Sequence, residues 1–362
     1  MLTRCDINMD YTRPMAFHFV RTDVSEQHAL RSFLFSSFNI SLDVNSFRPD
    51  VLCWKYFTPH PEWKGTRSFI VKDDDNTIVA HGGVWPVSFI TSTAEVRVIN
   101  LIDWAGTSAV PGIGVLLLKR VAAMADVMLA VGGSLHTRQI LPKLGYHNCG
   151  DLRMYAKVVR PWRQLWTTPS HNWKTPFRLV RNVIWSRIDL PPVPRYWWVE
   201  KITAFDHSMA AVINGSPLAL TLCRRTIPAL NHLLQCPGGN FSAFLLFQRD
   251  RLRGYFLLCQ VDGQTRIADL SVSQAEKNDW RAACTLAAHT AAECPTTCEI
   301  VAASSISASS EAFLQAGFRL RRRDPINCYD PRGCLTGAPP LNINLADGDL
   351  CFLSDPAFPY FS

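Results

Sequence analysis

The stretch NLIDWAGTSAVPGIGVLLLKRV, residues 100–121, decides how the rest of the chain is read. A hydrophobic run ending in DWAG has strand character, a short polar loop follows, and Pro111-Gly112-Ile113-Gly114 opens an apolar helix. Glycines at Gly112 and Gly114 let backbone N–H groups turn into one concavity, and the helix behind them adds the positive end of its dipole. Such a nest holds a diphosphate without requiring any particular side chain.

Working outward, residues 17–160 alternate strand and helix patterns. FHFVR (17–21) reads as a strand, SEQHALRSFLFSSF (25–38) as an amphipathic helix, and SFRPDVLCWKYF (46–57) as a second helical stretch. SFIVKD, TIVAHGGVWPVSFI and VRVINLIDWAG form a three-stranded meander. After the helix from 114 come VMLAVGG (127–133) as a buried strand, HTRQILPKLGY (136–146) as a short helix ending on a glycine, and LRMYAKVVR (152–160) as a last strand. Strands followed by βαβ elements predict an α+β fold built on a mixed sheet.

A second block starting at YWWVEKITAF (196–205) echoes the first. Leu52 and Pro59 in LCWKYFTP answer to Leu230 and Pro237 in LNHLLQCP, each pair 178 residues apart. SFIV (68–71) is answered by FLLF (244–247), Gly82 by Gly254, and Gly145 in LPKLGYH by Gly317 in LQAGFRL, the two glycine pairs each 172 apart. Four echoes in one order predict a duplication of one fold. The expected division is 1–160, a basic strap at 161–195 rich in Trp, Pro and Arg, and 196–362 with a C-terminal extension.

At its central loop the sequence resembles the GCN5-related N-acetyltransferase (GNAT) superfamily, whose signature is a strand, Arg/Gln-x-x-Gly-x-Gly/Ala, and a helix. Residues 109–114 match both glycine positions and depart at the first, where Ala109 stands for Arg or Gln. The family's later landmark, a short helix ending Lys-x-Gly-Phe/Tyr, is matched by Lys143-Leu144-Gly145-Tyr146 and echoed by Gln315-Ala316-Gly317-Phe318. The resemblance implies two tandem GNAT-like domains, each a mostly antiparallel twisted sheet flanked by helices. It implies an acyl-coenzyme A site, with acetyl-coenzyme A as the expected donor, formed by Trp104, Ala105, Gly106, Val110, Pro111, Gly112, Ile113, Gly114 and Val115. An amine would attack the thioester directly, aided by positioning and backbone donors. The Tyr that many members place four residues before the landmark Gly is replaced by Leu141, and by Phe313 in the second copy. The remaining catalytic candidates are Asp103, His81 and His136, each with a structural alternative: a bulge carboxylate, a sheet-face histidine and a helix cap. Trp54 and Tyr56 lie on the helix that lines the acceptor side in this fold, where an aromatic ring stacks on a sugar or packs in the core.

The second copy runs from RIADLSVS (266–273) to QAEKNDWRAACTLAAHTAAE without a Gly-x-Gly, so it is expected to lack coenzyme A binding and to buttress the first copy or its acceptor cleft. The pattern WKYF…P, HGGVWPVSF, DWAG…PGIG, LPKLGY looks like a bacterial GNAT subgroup associated with surface-polysaccharide synthesis, which implies an amino-sugar or nucleotide-sugar acceptor. Two other readings stay open: a catalytically inactive tandem scaffold, and a tRNA-dependent aminoacyltransferase using the strap for nucleic acid, of which no detailed motif is visible.

Composition sets the outer limits. With 48% hydrophobic and 19% charged residues, the 362-residue chain is too apolar for disorder and long enough for two domains. Twelve singly scattered cysteines, no apolar leader in MLTRCDINMDYTRPMAF and no apolar run of about 18 residues predict a cytoplasmic protein. His289, Cys294 and Cys298 come nearest to a ligand cluster, but no further pair completes a tetrahedron, so no metal is expected. The net charge of +7 is local: residues 151–201 hold ten Lys/Arg, three acids and six of the eleven tryptophans. That band is read as glue between the copies, with contact to an anionic acceptor or anionic surface second; no specific nucleic acid is expected.

Overall fold

The computed structural model describes residues 16–40, 43–91, 95–169, 171–213, 220–273 and 276–362. The first half contributes β1 (His18–Arg21), α1 (Gln27–Phe38), α2 (Pro49–Leu52), β2 (Ser68–Lys72), β3 (Ile78–Ile90), β4 (Glu95–Gly106), α3 (Ile113–Ala122), β5 (Val127–Val131), α4 (Leu135–Ile140) and β6 (His147–Val158). Helices α5 (Pro161–Thr167) and α6 (Thr175–Ser186) follow. The second half adds β7 (Trp197–Ile202), α7 (Ala210–Ile213), β8 (Thr221–Cys223), α8 (Ile227–Leu234), β9 (Asn240–Gln248), β10 (Arg251–Val261), β11 (Gln264–Val272), α9 (Lys277–Glu293), β12 (Glu299–Ser304), α10 (Ser307–Gln315), β13 (Arg319–Tyr329) and β14 (Leu341–Asn342).

All these strands belong to one mixed sheet, in the order β1-β2-β3-β4-β5-β13-β6-β12-β11-β10-β9-β7, with β8 pairing β3 and β14 off this path. The order reads the same from both ends if each half is matched to the other. In each half the meander is antiparallel, then one parallel pair follows, β4 with β5 and β11 with β12. The terminal strands are exchanged: β13 lies against β5 of the first half, and β6 lies against β12 of the second. The sequence echoes fall on matching elements, with Gly82 and Gly254 on β3 and β10, and Gly145 and Gly317 as left-handed residues closing the turns after α4 and α10.

Packing follows this symmetry. Leu117, Leu118 and Val121 of α3 bury against Val71, Ile99 and Met128. The alanine-rich α9 lies similarly on Phe256, Ile267 and Ile300. A third cluster runs through both halves, from Leu30 and Leu52 through Tyr255 and Leu257 to Phe352 in the C-terminal extension. The strap contains two helices, with Pro161 and Pro176 in first-turn positions where a missing N–H costs nothing. Its ends tie the halves together. Arg160 donates to the carbonyls of Ala292, Cys294 and Thr297, and Lys157 donates to Ile188.

Candidate active site

Strands β4 and β5 pair only through Val98–Asn100 and Val127–Leu129. Beyond that point residues 101–106 of β4 continue with β3 alone, and their other edge opens onto a cavity of about 890 Å³. The cavity is walled by residues 100–106, the loop at 107–115, the end of β5, the start of α4 and the C-terminal segment 343–350.

The loop has the geometry of an anion cradle. Gly112 adopts φ +86°, which places it in the left-handed region, and a Cβ there would point into open space. Gly106 is crowded for another reason: its Cβ would lie 3.1 Å from the Gly114 nitrogen, so the end of β4 and the start of α3 approach backbone to backbone, and a side chain there would have to push them apart. The indole of Trp104 donates to the Gly114 carbonyl at 2.9 Å and pins this contact. The amides of Gly112 and Gly114 find no acceptor among the described residues, whereas those of Ala109, Val110, Ile113 and Val115 are bonded within the loop. Among the expected cofactor residues, Trp104, Ala105, Gly106, Val110, Pro111, Gly112, Gly114 and Val115 all line the cavity. Ile113 does not, because its side chain turns into the core with 2% exposure.

The floor beside the loop is charged. β4 carries a bulge at Asp103, φ +48°, where two of its residues oppose Gly82 of β3. Asp103 faces the cavity and receives hydrogen bonds from Tyr56 Oη and from Lys55 Nζ, the latter at 2.5 Å. Lys55 is wholly buried and also reaches Asp349 Oδ2 and Ser46 Oγ, both at 2.9 Å. Lys55 and Tyr56 come from a single π-turn, Cys53–Phe57, continuing α2. Arg67 supports that turn by donating to the carbonyls of Trp54, Lys55 and Thr58. Burial pushes the Lys55 ammonium down, but the Asp103 and Asp349 carboxylates outweigh it and hold it above its ordinary value. Burial, with help from the Asp103 charge, leaves the Asp349 carboxyl above the usual range in spite of Lys55.

The other sequence candidates separate. His81 is fully buried and outside the cavity: Nδ1 lies 2.8 Å from the Asp103 carbonyl oxygen and Nε2 3.0 Å from Ser68 Oγ. Burial lowers its pKa to about 3, so the neutral ring acts as a brace for the bulge. His136 sits exposed on α4 at the cavity rim. Trp54 turns away from the cavity and stacks on His232 at 4.8 Å, beside Trp85 and Phe352, so its aromatic surface is spent on the core. Tyr56 is equally buried and reaches the cavity only through its bond to Asp103. Leu141 and Phe313 are core residues. His289 bonds the Pro191 carbonyl, and Cys294 and Cys298 bond within their own turn.

Lys55 and Asp349 were missed in the sequence. A lysine between two aromatics on a core-facing turn was an available signal for the first, since a buried ammonium demands partners. Asp349 carried none, because it enters from 246 residues beyond Asp103. Its segment is clamped by both halves: from the second, Arg225 bonds Asp269 of β11 at 2.8 Å and Asp347 at 2.6 Å, and Asn344 bonds Asp269 at 2.8 Å; from the first, Asn100 bonds the Asp347 carbonyl at 2.8 Å. The matching helix of the second half is unsuited to an anion. α9 begins with Glu276 as its N-cap and Asp279 in its first turn, the latter already bonded to Arg253; Gln274 and Ala275 lie outside the described residues.

The comparisons with solved structures bear on this arrangement. Saccharomyces cerevisiae N-myristoyltransferase with bound myristoyl-CoA superposes with a TM-score of 0.60 at 12% identity, over 87% of this chain and 82% of that one. A GCN5-related N-acetyltransferase from Anabaena variabilis gives 0.57 at 11% identity, over 88% and 74%. This chain has the GNAT fold. A probable N-acyltransferase from Enterococcus faecalis gives 0.52 at 9%, over 87% and 72%. No protein-family model and no curated protein matches the chain.

Proposed function

We propose that this GNAT-fold chain is an acyl-coenzyme A-dependent N-acyltransferase whose acceptor carries a cationic amine. The observation that carries the reading is a single cavity that joins the unpartnered Gly112 and Gly114 amides to the paired Asp103 and Asp349 carboxylates. The amides and the positive end of α3, which has no acid in its first turn, suit a diphosphate. The open edge at 101–106 suits the amide-bearing arm of the same molecule, as a strand edge accepts an extended peptide. When bound, coenzyme A supplies an acyl group already activated as a thioester.

The chain's own residues then handle the amine. Two carboxylates against one ammonium leave a net negative floor, which attracts a protonated amine. Lys55 bridges the two through their Oδ2 atoms, so the Oδ1 oxygens lie outside that bridge and can take a proton from the acceptor. Burial raises the Asp349 pKa above the ordinary carboxylate value, which makes it a stronger proton acceptor than an exposed carboxylate. Asp103 and Asp349 are thus the proposed base pair, with His136 at the rim beside the acceptor path. Acetyl as the acyl group and an amino-sugar or nucleotide-sugar acceptor are the finer form of the proposal, supported by the resemblance of the motif order.

Calorimetric titration with acetyl-coenzyme A and longer acyl-coenzymes A, followed by thiol-release assays on an amine panel, tests it. Binding is expected, and Gly112→Asp, which adds both a strained left-handed residue and a negative charge, is expected to weaken it at least tenfold. Asp103→Asn should leave binding intact and lower turnover by about 10²–10⁴-fold. Absence of any acyl-coenzyme A binding sinks the proposal, and binding without turnover on any amine replaces it with the inactive-scaffold reading.

A further inference from the structure

Residues 161–188 contain five Lys/Arg, four Trp and no Asp or Glu. The inner side of the α5–α6 hairpin is anchored: Gln164 and Asn182 bond each other at 3.0 Å in the interior, and the guanidinium groups of Arg181 and Arg321 lie 4.6 and 5.1 Å from the Trp185 ring centroid. Its outer side is apolar and bare. Phe177, Val180 and Ile184 of α6 are 70, 60 and 59% exposed and recur at i, i+3 and i+7, which is one stripe of a helix, and Trp173, 76% exposed in the turn before α6, extends it by packing edge-on to Phe177. Trp162 and Trp166 on α5 are 60 and 82% exposed, one turn apart. Arg163, Lys174, Arg178 and Arg187 are exposed among them, and none of these residues lines the cavity.

The chemistry selects the occupant. A second copy docking through the same face would set cations against cations, since a two-fold contact pairs a patch with itself. A nucleic acid would use the cations and the indoles but gain nothing from Val180 and Ile184, which cannot stack on bases. An anionic bilayer uses all three features: aliphatic and Phe side chains enter the acyl boundary, Trp rings sit at headgroup level, and Lys/Arg heads meet phosphates. At twelve residues α6 is far shorter than the ~20 needed to cross a bilayer, so it would lie in the plane of the surface.

We propose that the α5–α6 hairpin is a peripheral membrane dock that seats this protein on anionic phospholipid. Co-sedimentation of the full chain with phosphatidylcholine vesicles, with and without about 30 mol% phosphatidylglycerol, tests it, with indole emission as a second readout. At ~0.1 M salt the protein should bind the anionic vesicles with a blue shift, and bind neutral vesicles at least tenfold more weakly. Lys174→Gln and Arg178→Gln should each cost about fivefold in partitioning. Phe177→Ser with Ile184→Ser should abolish sedimentation while leaving the circular dichroism melt and acyl-coenzyme A binding unchanged, because both side chains are exposed and outside the cavity. The proposal is overturned by absence of vesicle binding or by binding that survives the double variant. It is also overturned by dimerisation or RNA binding that the double variant removes in a protein indifferent to vesicles.

Discussion

Lys55 is a wholly buried ammonium held between carboxylates delivered by different parts of the chain, a β4 bulge and the C-terminal extension. Its removal should therefore do more harm than the loss of one ion pair suggests. Lys55→Met leaves two carboxylates facing each other with no counter-ion, and urea unfolding should register a loss of about 3–5 kcal/mol. Adding Asp349→Asn to that variant should restore part of the loss. The pH dependence has a definite sign. Because the folded pKa of Lys55 is raised, its contribution is complete below the unfolded value near ~10.4 and is lost as pH rises through the folded value, so the wild type should weaken at the alkaline end and Lys55→Met should not. Asp103 and its cavity-facing place were legible in the sequence as a carboxylate in an otherwise apolar strand. Asp349 was not, because no local pattern announces which distant segment will close a cavity.

At the scale of the element, the π-turn Cys53–Phe57 positions the cavity floor. Its wider turn sends Lys55 and Tyr56 toward Asp103 while Trp54 enters the core. Arg67 holds the turn by three carbonyls and has no carboxylate partner among the described residues, and burial lowers its pKa to about 10. Arg67→Met should strand those carbonyls and cost at least about 3 kcal/mol in chemical denaturation, with a parallel loss of turnover; unchanged stability would show the turn is self-supporting. Helical periodicity in SFRPDVLCWKYF predicted a helix here but not a π-turn, since a one-residue expansion of the turn leaves composition unchanged. The helices of the strap were hidden differently. Residues 177, 180 and 184 have helical spacing, yet the prolines and tryptophans of the same stretch dominate its reading as a strap.

Across the whole molecule, exchange of β6 and β13 makes each half incomplete by itself. β6 has β13 and β12 as its neighbours, both from the second half, and β13 in turn separates β5 from β6. Expressed separately, fragments 1–169 and 171–362 should be insoluble or unfolded, because each exposes unpaired strand edges; co-expressed, they should purify as a one-to-one complex. A soluble, folded 1–169 fragment would contradict the exchange. Acid stability is also a property of the assembled core. His60, His81 and His232 have folded pKa values lowered by burial to about 3, 3 and 4, so the stability tied to their neutral forms is present above the unfolded value near ~6.5 and is lost as pH falls toward those folded values. His232 Nε2 has no hydrogen-bond partner among the described residues, and its ring stacks on Trp54. His232→Phe keeps the stack and removes the proton site, so it should raise Tm at pH 5 more than at pH 8.

What the sequence by itself determined was local and periodic: the meander, the Gly-x-Gly turn into α3, the left-handed glycines closing two helices and the order of a duplicated unit. Those features are written in spacing of two and of three to four residues and in positions that only glycine fills easily. What only the tertiary structure decided was partnership. A strand's alternation is the same whichever strand lies beside it, so nothing in β6 or β13 announces that they trade places. The same holds for the cavity floor, where Lys55, Asp103 and Asp349 become one electrostatic unit because burial in a shared core removes the water that would otherwise separate their charges.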